Sequence, residues 1–418
     1  MNSSTSNIKR NSYIWNAVYS GVNALQSAII LFAVSRTGEL ADAGIITFGF
    51  ALANLVMLLA RYGIRNYQVT DIYEKYSFSD YFYCRICSTG ASLLLSVIYL
   101  VVMIASGRYT SYKALIILEI IILKLIDAFE GVYTGRLQQK GRLDIGARIG
   151  AVRLIISTLA IFIAVLVIKN IPVSLLIGII VSLLIDIILI PKSRKDVEYG
   201  ICHVQLPALK KLMAVGLSLC LGTALHNFVG NSPRYLVEIF LTDEVQAVSG
   251  YLMMPVFVIT ILNYFLMQPV VKDIGETWNK KDMGRFKHMV KRHILIICAL
   301  TLVIGIAGVF LGLPLLSWLY RVSLTQYRLT FVCYLAGGAL YTLSEYFMVL
   351  LVAARKQNSI IAGCLAAIVI NVIAGGYVLG KYGIQGTAVL YIISNLAMLG
   401  IFIAIMVRNI HKAQLASG

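Results

Sequence analysis

Long apolar runs alternate with short polar ones along the whole chain, and the runs are of bilayer length. A hydrocarbon core of about 30 Å takes roughly 20 residues of apolar helix. Twelve segments meet that length: 12–35, 43–60, 85–106, 113–134, 148–168, 172–190, 212–240, 249–271, 293–313, 328–354, 360–379 and 387–407. The pattern predicts an all-α polytopic membrane protein with twelve transmembrane helices. The connecting loops are short, and the longest, 61–84, spans 24 residues. That leaves no room for a soluble catalytic domain, so no enzyme is expected.

Composition agrees with the pattern. Charged residues make up 13% of the chain and hydrophobic ones 59%, against roughly 25% charged in a soluble domain. The net charge of +17 would suggest nucleic acid on a soluble chain. Here its distribution explains it and no nucleic-acid partner is expected. With the N-terminus in the cytoplasm, 26 of the 36 basic residues fall in cytoplasmic segments, 7 in outer loops and 3 (Lys124, Arg153, Arg234) inside spans. Arg85 counts among the cytoplasmic ones. The positive-inside rule then sets the orientation, and twelve spans place both termini in the cytoplasm. No cleavable signal peptide is expected, because the first span follows a polar start without a small-residue cleavage site. Cys84 and Cys87 form a lone CxxC without a second pair, which reads as small residues near a helix end.

The basic loop 192–211 sits near the middle of the chain. It predicts a hinge between an N-terminal lobe (1–191, six spans) and a C-terminal lobe (212–418, six spans and a cytoplasmic tail). A weak repeat supports two pseudo-symmetric lobes. Ala43-Gly44 and Ser249-Gly250 open the second span of each half, and Val69-Thr70-Asp71-Ile72 and Val271-Lys272-Asp273-Ile274 close it. Duplicated bundles are common among transporters, with the substrate path at the repeat interface. A central cavity between the lobes is therefore expected. The loop 272–292 holds an amphipathic piece around 283–290, read either as a helix lying on the anionic inner leaflet or as a solvated basic loop.

The polar residues inside spans are the candidate chemistry, since a charge in hydrocarbon usually faces a protein interior or a watery cavity. Segment 212–271 is the most polar: His226, Asn227, Asn231, Pro233, Arg234 and Glu238, then Pro255, Asn263 and Gln268. Arg234 has a permanently charged planar fork that matches phosphate oxygens. Alternatively it neutralises Glu238 one turn on, or snorkels to the outer interface. The fourth span carries Glu119, Lys124, Asp127 and Glu130. Lys124 and Asp127 can pair on one face, and Asp127 and Glu130 are candidate coupling groups, as are Glu238 and Glu345. Arg153 is read as a second phosphate contact or an anchor, and Lys124 is a further candidate contact in the diphosphate cavity. Arg61 and Arg65 at the inner end of the second span are first contacts for a lipid-borne phosphate, or positive-inside anchors. Asn16, Asn23, Gln26, Asn54, Asn227, Asn263 and Gln268 would suit hydroxyl-rich cargo and are equally ordinary interhelical glue. Asp186, Asn371 and Asn395 are further buried candidates, and His226 reads as a structural residue. No GxxxxGK[ST] loop and no HExxH are present, so neither ATP hydrolysis at a phosphate loop nor zinc chemistry of that kind is expected. No cofactor and no metal site is expected.

Three words resemble the polysaccharide (O-antigen and capsule) flippase family of the multidrug/oligosaccharidyl-lipid/polysaccharide exporter superfamily. They are Tyr62-Gly63-Ile64-Arg65-Asn66-Tyr67-Gln68-Val69-Thr70-Asp71, Ser232-Pro233-Arg234-Tyr235, and Tyr382-Gly383-Ile384-Gln385-Gly386-Thr387-Ala388. The resemblance extends over the whole chain through the span count. It implies a MATE-like fold in a bacterial plasma membrane and alternating access. The implied cargo is undecaprenyl-diphosphate-linked oligosaccharide, carried to the outer leaflet for capsule, O-antigen or exopolysaccharide synthesis. Membrane lipids and the polymerase and glycosyltransferases of that pathway would be its partners. Twelve spans fit drug-exporting relatives as well, and a drug or metabolite/cation antiporter is the alternative.

Overall fold

The computed structural model describes residues 3–71, 73–200, 206–267 and 270–415. Two compact units, Met1–Ala224 and Leu225–Gly418, divide the chain within one long helix. Among the described residues nine helices are long and apolar enough to cross a membrane, or ten with one bent pair counted as a span. The protein is therefore a polytopic α-helical membrane protein, with fewer crossings meeting that test than the twelve predicted from sequence.

The first unit contains α1 (Ser3–Thr37), α2 (Leu40–Arg61), the short α3 (Ile64–Thr70), α4 (Phe78–Ala105), α5 (Ser111–Gln139), α6 (Leu143–Ile168), α7 (Ile171–Lys192) and most of α8 (Leu206–Gly230). Helix α1 packs along α6, α2 along α5, and α7 against both α5 and α6. Helix α5 fails the apolar test because of its charges, yet it is buried along most of its length. Helices α4 and α7 do the reverse. Each buries a narrow stripe of small residues four apart, Ser88, Ser92 and Ser96 on α4 and Ser174, Gly178 and Ser182 on α7. Small residues at this spacing let helix backbones approach, and a Cβ at Gly178 would lie 2.2 Å from Ile161. The leucines, isoleucines and valines on their opposite faces are exposed, as a bilayer requires.

Helix α2 ends where Tyr62 and Gly63 take left-handed backbone conformations, φ 51° and 65°. Its terminal carbonyls are satisfied from α4: Arg85 Nη1 and Ser88 Oγ each donate to the Ala60 carbonyl at 2.7 Å. Arg85, counted with a cytoplasmic segment in the sequence, lies inside α4. It is fully buried, and its work is to cap a helix C-terminus, where a cation is favoured by the helix dipole.

The second unit is built from broken spans. The predicted span 212–240 is interrupted at Asn231, where α8 gives way to α9 (Ser232–Phe240) with Pro233 in its first turn. Proline there lacks only a donor that the first turn would leave unused. The predicted span 249–271 is α10 (Asp243–Leu252) and α11 (Met254–Met267), bent by 41° at Met253. After α12 (Val270–Asn279), α13 (Met283–Ala307) runs through a π-helical stretch, Gly308–Gly312, into α14 (Leu313–Tyr320). The amphipathic segment 283–290 is thus the first two turns of a membrane helix and not a separate surface helix. Helices α15 (Arg328–Ala353) and α16 (Asn358–Leu415) complete the unit.

Helix α16 covers both final predicted spans, and it is a hairpin. Gly383 has φ 54° and ψ −133°, far from helical values. On either side the two arms lie against each other: Gly363 faces the Phe402 ring and Gly386 the Val378 carbonyl, while Cys364 Sγ lies 3.7 Å from Met398 Sδ. These pairs are centred near residue 382, so the chain reverses at the glycine.

Candidate functional site

The first unit encloses a buried ionic network. Lys124, Asp127 and Glu130 follow at three-residue steps on α5, which puts successive pairs on neighbouring faces. Arg153 enters from α6 and Asp186 from α7, and α1 contributes Asn23 and Gln26. Arg153 is fully buried. Its Nε and Nη2 reach Glu130 Oε2 at 2.7 and 2.6 Å, Nη2 donates to Asp127 Oδ1, and Nε stands 3.6 Å from Asp186 Oδ1. Lys124 Nζ donates to Gln26 Oε1 at 2.6 Å and Asn23 Oδ1 at 3.3 Å, and pairs with Asp127 Oδ2 at 3.4 Å. Gln26 in turn donates to Thr158 Oγ1 at 3.2 Å. Gly150 makes room for this packing. A Cβ there would lie 2.6 Å from the Tyr19 ring and 2.9 Å from Glu130 Oε1.

Two cations thus face three carboxylates. A buried network with one negative charge left over is costly in a medium of low dielectric. It can be balanced by one proton or one monovalent cation. Lys124 and Arg153, expected from sequence as candidate phosphate contacts, each have carboxylate partners here.

The other candidates of this unit lie apart from the network or at its edge. Asn16 on α1 and Asn54 on α2 are half-buried and take no part in its hydrogen bonds. Arg61 adds positive field to Lys124, Asp127 and Tyr19 without pairing with them. Arg65 Nη2 donates to Gln138 Oε1 at 3.3 Å. Beyond α3, Asp71 accepts from the amides of Lys75 (2.9 Å) and Tyr76 (3.1 Å) and from the Tyr81 hydroxyl (2.8 Å). Desolvation opposes its ionisation, but these donors outweigh it and hold the carboxyl below its ordinary range. Glu74 pairs with Lys140 and, at 3.1 Å, with Arg136, and its carboxyl is lowered chiefly by the Lys140 hydrogen bond. These contacts tie the α3–α4 connection to the end of α5.

The second unit holds Arg234 at the helix break. It is 6% exposed. Its Nη1 donates to Asn231 Oδ1 at 3.1 Å, and the guanidinium lies 4.6 Å from the Phe257 ring centroid, a cation–π contact. Its Nε is buried without a hydrogen-bond acceptor. No carboxylate of a described residue lies in ion-pair range of it. The hydroxyl groups of Tyr334 and Tyr391 share its electrostatic environment, and Tyr391 also senses Glu345 on α15. Tyr334 Oη is bonded to Ser249 Oγ (3.0 Å) and Thr387 Oγ1 (2.5 Å).

Around this site, Asn231 Nδ2 donates to the Asn227 carbonyl at 3.1 Å, so Asn227 and Asn231 brace the break. Glu238 is half-buried one turn beyond Arg234. Asn263 on α11 is buried with Oδ1 unbonded, and both amide atoms of Asn371 on α16 are likewise unbonded. Asn395 donates to the Tyr391 carbonyl. His226 bonds Ser344 at 3.0 Å and stacks on Tyr341, a satisfied structural residue. Gln268 lies outside the described residues. The tyrosines were not singled out in the sequence, because a tyrosine in an apolar helix carries no spacing signal.

No protein-family model matches the chain, and no curated protein matches it. Solved structures do. The chain is similar in fold to a multidrug resistance MATE family transporter of the MOP superfamily in an inward-facing conformation, with a TM-score of 0.67 at 12% identity over 96% of this chain and 100% of that one. It is similar to the Vibrio cholerae MATE transporter VcmN in its bent form, with a TM-score of 0.62 at 14% identity over 99% of both chains. It is also similar to the eukaryotic MATE transporter AtDTX14, with a TM-score of 0.62 at 11% identity over 99% of both. The fold is that of the MATE transporters.

Proposed function

We propose that this chain, having the MATE fold, is a secondary transporter of a bacterial plasma membrane that works by alternating access and moves undecaprenyl-diphosphate-linked oligosaccharide to the outer leaflet. Structures of MATE transporters are described as inward-facing and outward-facing, which supports the mechanism. Twelve crossings fit it: α5 counts despite its charges, the bent α10–α11 pair is one span, and the α16 hairpin is two. The two lobes would then be 1–191 and 212–418, joined by the hinge 192–211.

The observation that carries the cargo reading is Arg234. A buried guanidinium with no carboxylate partner among the described residues is expensive to keep and is matched by an anion. A diphosphate suits its planar fork. The unbonded amides of Asn263 and Asn371 offer donors and acceptors to sugar hydroxyls. In this reading the network around Arg153 is the coupling site, taking up one proton or monovalent cation per cycle.

The second reading is a drug or metabolite/cation antiporter. The solved structures of similar fold, described as multidrug transporters, favour it over the flippase, and the spare negative charge beside Asp186 is compatible with cationic cargo. Proteoliposomes holding a fluorescent undecaprenyl-diphosphate oligosaccharide separate the two. The flippase reading expects wild type to flip the lipid, Arg234→Ala to lose at least tenfold in rate, and Arg234→Lys to retain part of it. Wild type that flips nothing but exchanges an organic cation for protons establishes the antiporter instead.

A further inference from the structure

An apolar cleft of about 480 Å³ opens on the first unit between α4, α5 and α7. Leu93, Ile126, Phe129, Leu183 and Ile187 line it. Its α7 wall is the bilayer-facing side of that helix, where Leu183 and Ile187 are 44% and 67% exposed. Two charged residues also line it, Asp186 and Arg194. They are eight residues apart on the α7 segment, about 12 Å at helical rise. Asp186 is therefore deep in the cleft and Arg194 at its cytoplasmic mouth.

The mouth has the chemistry of a lipid headgroup site. Arg194 is exposed, between Lys192 and Lys195 in the turn that follows α7. Among the described residues none of the three makes an ion pair, because the nearby Asp196 is taken by Arg142 at 2.6 Å. Tyr133, also in the lining, packs edge-on against Tyr199, whose hydroxyl meets Ser193 Oγ at 2.7 Å. Aromatic rings with polar tips gather at the headgroup level of membrane proteins, and free basic side chains on the cytoplasmic side attract anionic lipids. An apolar trough of this depth below a cationic, aromatic-rimmed mouth matches one amphiphile: a phosphate at the rim and a hydrocarbon chain beneath it.

We propose that the α4–α5–α7 cleft holds one anionic phospholipid of the inner leaflet, its phosphate on Arg194 and an acyl chain along Leu183, Ile187 and Phe129. The chain covers the cleft side of Asp186 and so keeps water from that flank of the Arg153 network. The site is built from residues of the first unit alone, and the proposal does not depend on which cargo the protein carries.

The test is native mass spectrometry of the full-length protein equilibrated with phosphatidylglycerol and phosphatidylcholine at equal mole fraction. The variants are Arg194→Gln, which removes the headgroup contact, and Leu183→Trp, which fills the trough. Both positions are exposed, so neither substitution disturbs the packed interior. Lys381→Gln, in a predicted outer loop, is the control. Wild type and control are expected to retain one phosphatidylglycerol with about fivefold preference, the value of one basic residue at a membrane surface, and both cleft variants are expected to lose it. Equal retention of the two lipids by wild type, or preference unchanged in both variants, overturns the proposal. Displacement of the phosphatidylglycerol by an equal amount of undecaprenyl diphosphate also overturns it, since the cleft would then belong to the cargo.

Discussion

Arg153 is the residue on which the buried chemistry of the first unit converges. Removing its charge leaves Asp127, Glu130 and Asp186 facing Lys124 alone. Breaking a buried ion pair from one side costs about 3–5 kcal/mol. Arg153→Met is thus expected to lower the thermal midpoint in detergent sharply, while the double change Arg153→Met with Glu130→Gln recovers part of the loss. Equal midpoints for the single and double variants would show that the two charges are not coupled. Gly150→Ala is expected to destabilise by about 1–3 kcal/mol, the usual cost of overpacking, because its methyl meets the Tyr19 ring and the Glu130 carboxylate. Sequence made the polar residues of this site visible, since each interrupts an apolar run. It paired Lys124 with Asp127 along one helix but could not pair residues of different helices. Arg153 and Asp186 are brought together by the packing of α6 on α7, and no spacing along the chain encodes that contact. Arg85 shows the same limit: sequence put it at the edge of a span, and the helix end that it caps is visible only in the fold.

Among the elements, α16 shows how a single backbone position sets topology. At Gly383 the combination φ 54°, ψ −133° is open to glycine and strained for any other residue, at about 1–3 kcal/mol. Open space surrounds the position where a Cβ would stand, so Gly383→Ala tests the backbone alone. A loss of that size in thermal unfolding is expected, and an unchanged midpoint would mean that the turn tolerates a side chain. The sequence marked this turn through its glycines but could not show that helix continues on both sides of it. The same holds for the breaks at Asn231 and Met253, which fall inside apolar runs. The α3–α4 connection makes a different prediction. The Asp71 and Glu74 carboxyls are lowered in the folded protein, so the unfolded chain binds protons first as pH falls. Their stabilisation is complete above the ordinary carboxylate range, roughly pH 4–5, and fades as the pH drops below it. The stability difference between wild type and Asp71→Asn should therefore shrink from pH 6 towards about pH 3. A constant difference would exclude the linkage.

For the whole molecule, an even number of crossings puts both ends on the same side. A fluorescent protein fused after residue 418 is expected to fluoresce in the cytoplasm, and a periplasmic reporter at the same place to be inactive; the opposite pattern would require an odd count or an inverted orientation. Hydropathy showed the membrane class and most of the helices, and it placed the basic loops. It also marked 113–134 as a span despite its charges, and α5 (Ser111–Gln139) lies there, buried along most of its length. That burial has a consequence for biosynthesis. Lys124, Asp127 and Glu130 leave the ribosome before Arg153 and Asp186 have been made, when Asn23 and Gln26 on α1 are the groups already made that can hydrogen-bond Lys124. A nascent chain stopped short of α6 would hold two acids against one base in hydrocarbon. Helix α5 is therefore expected to insert more completely in a chain that extends through α6 than in one stopped before it, a difference that glycosylation mapping of truncated chains would read out.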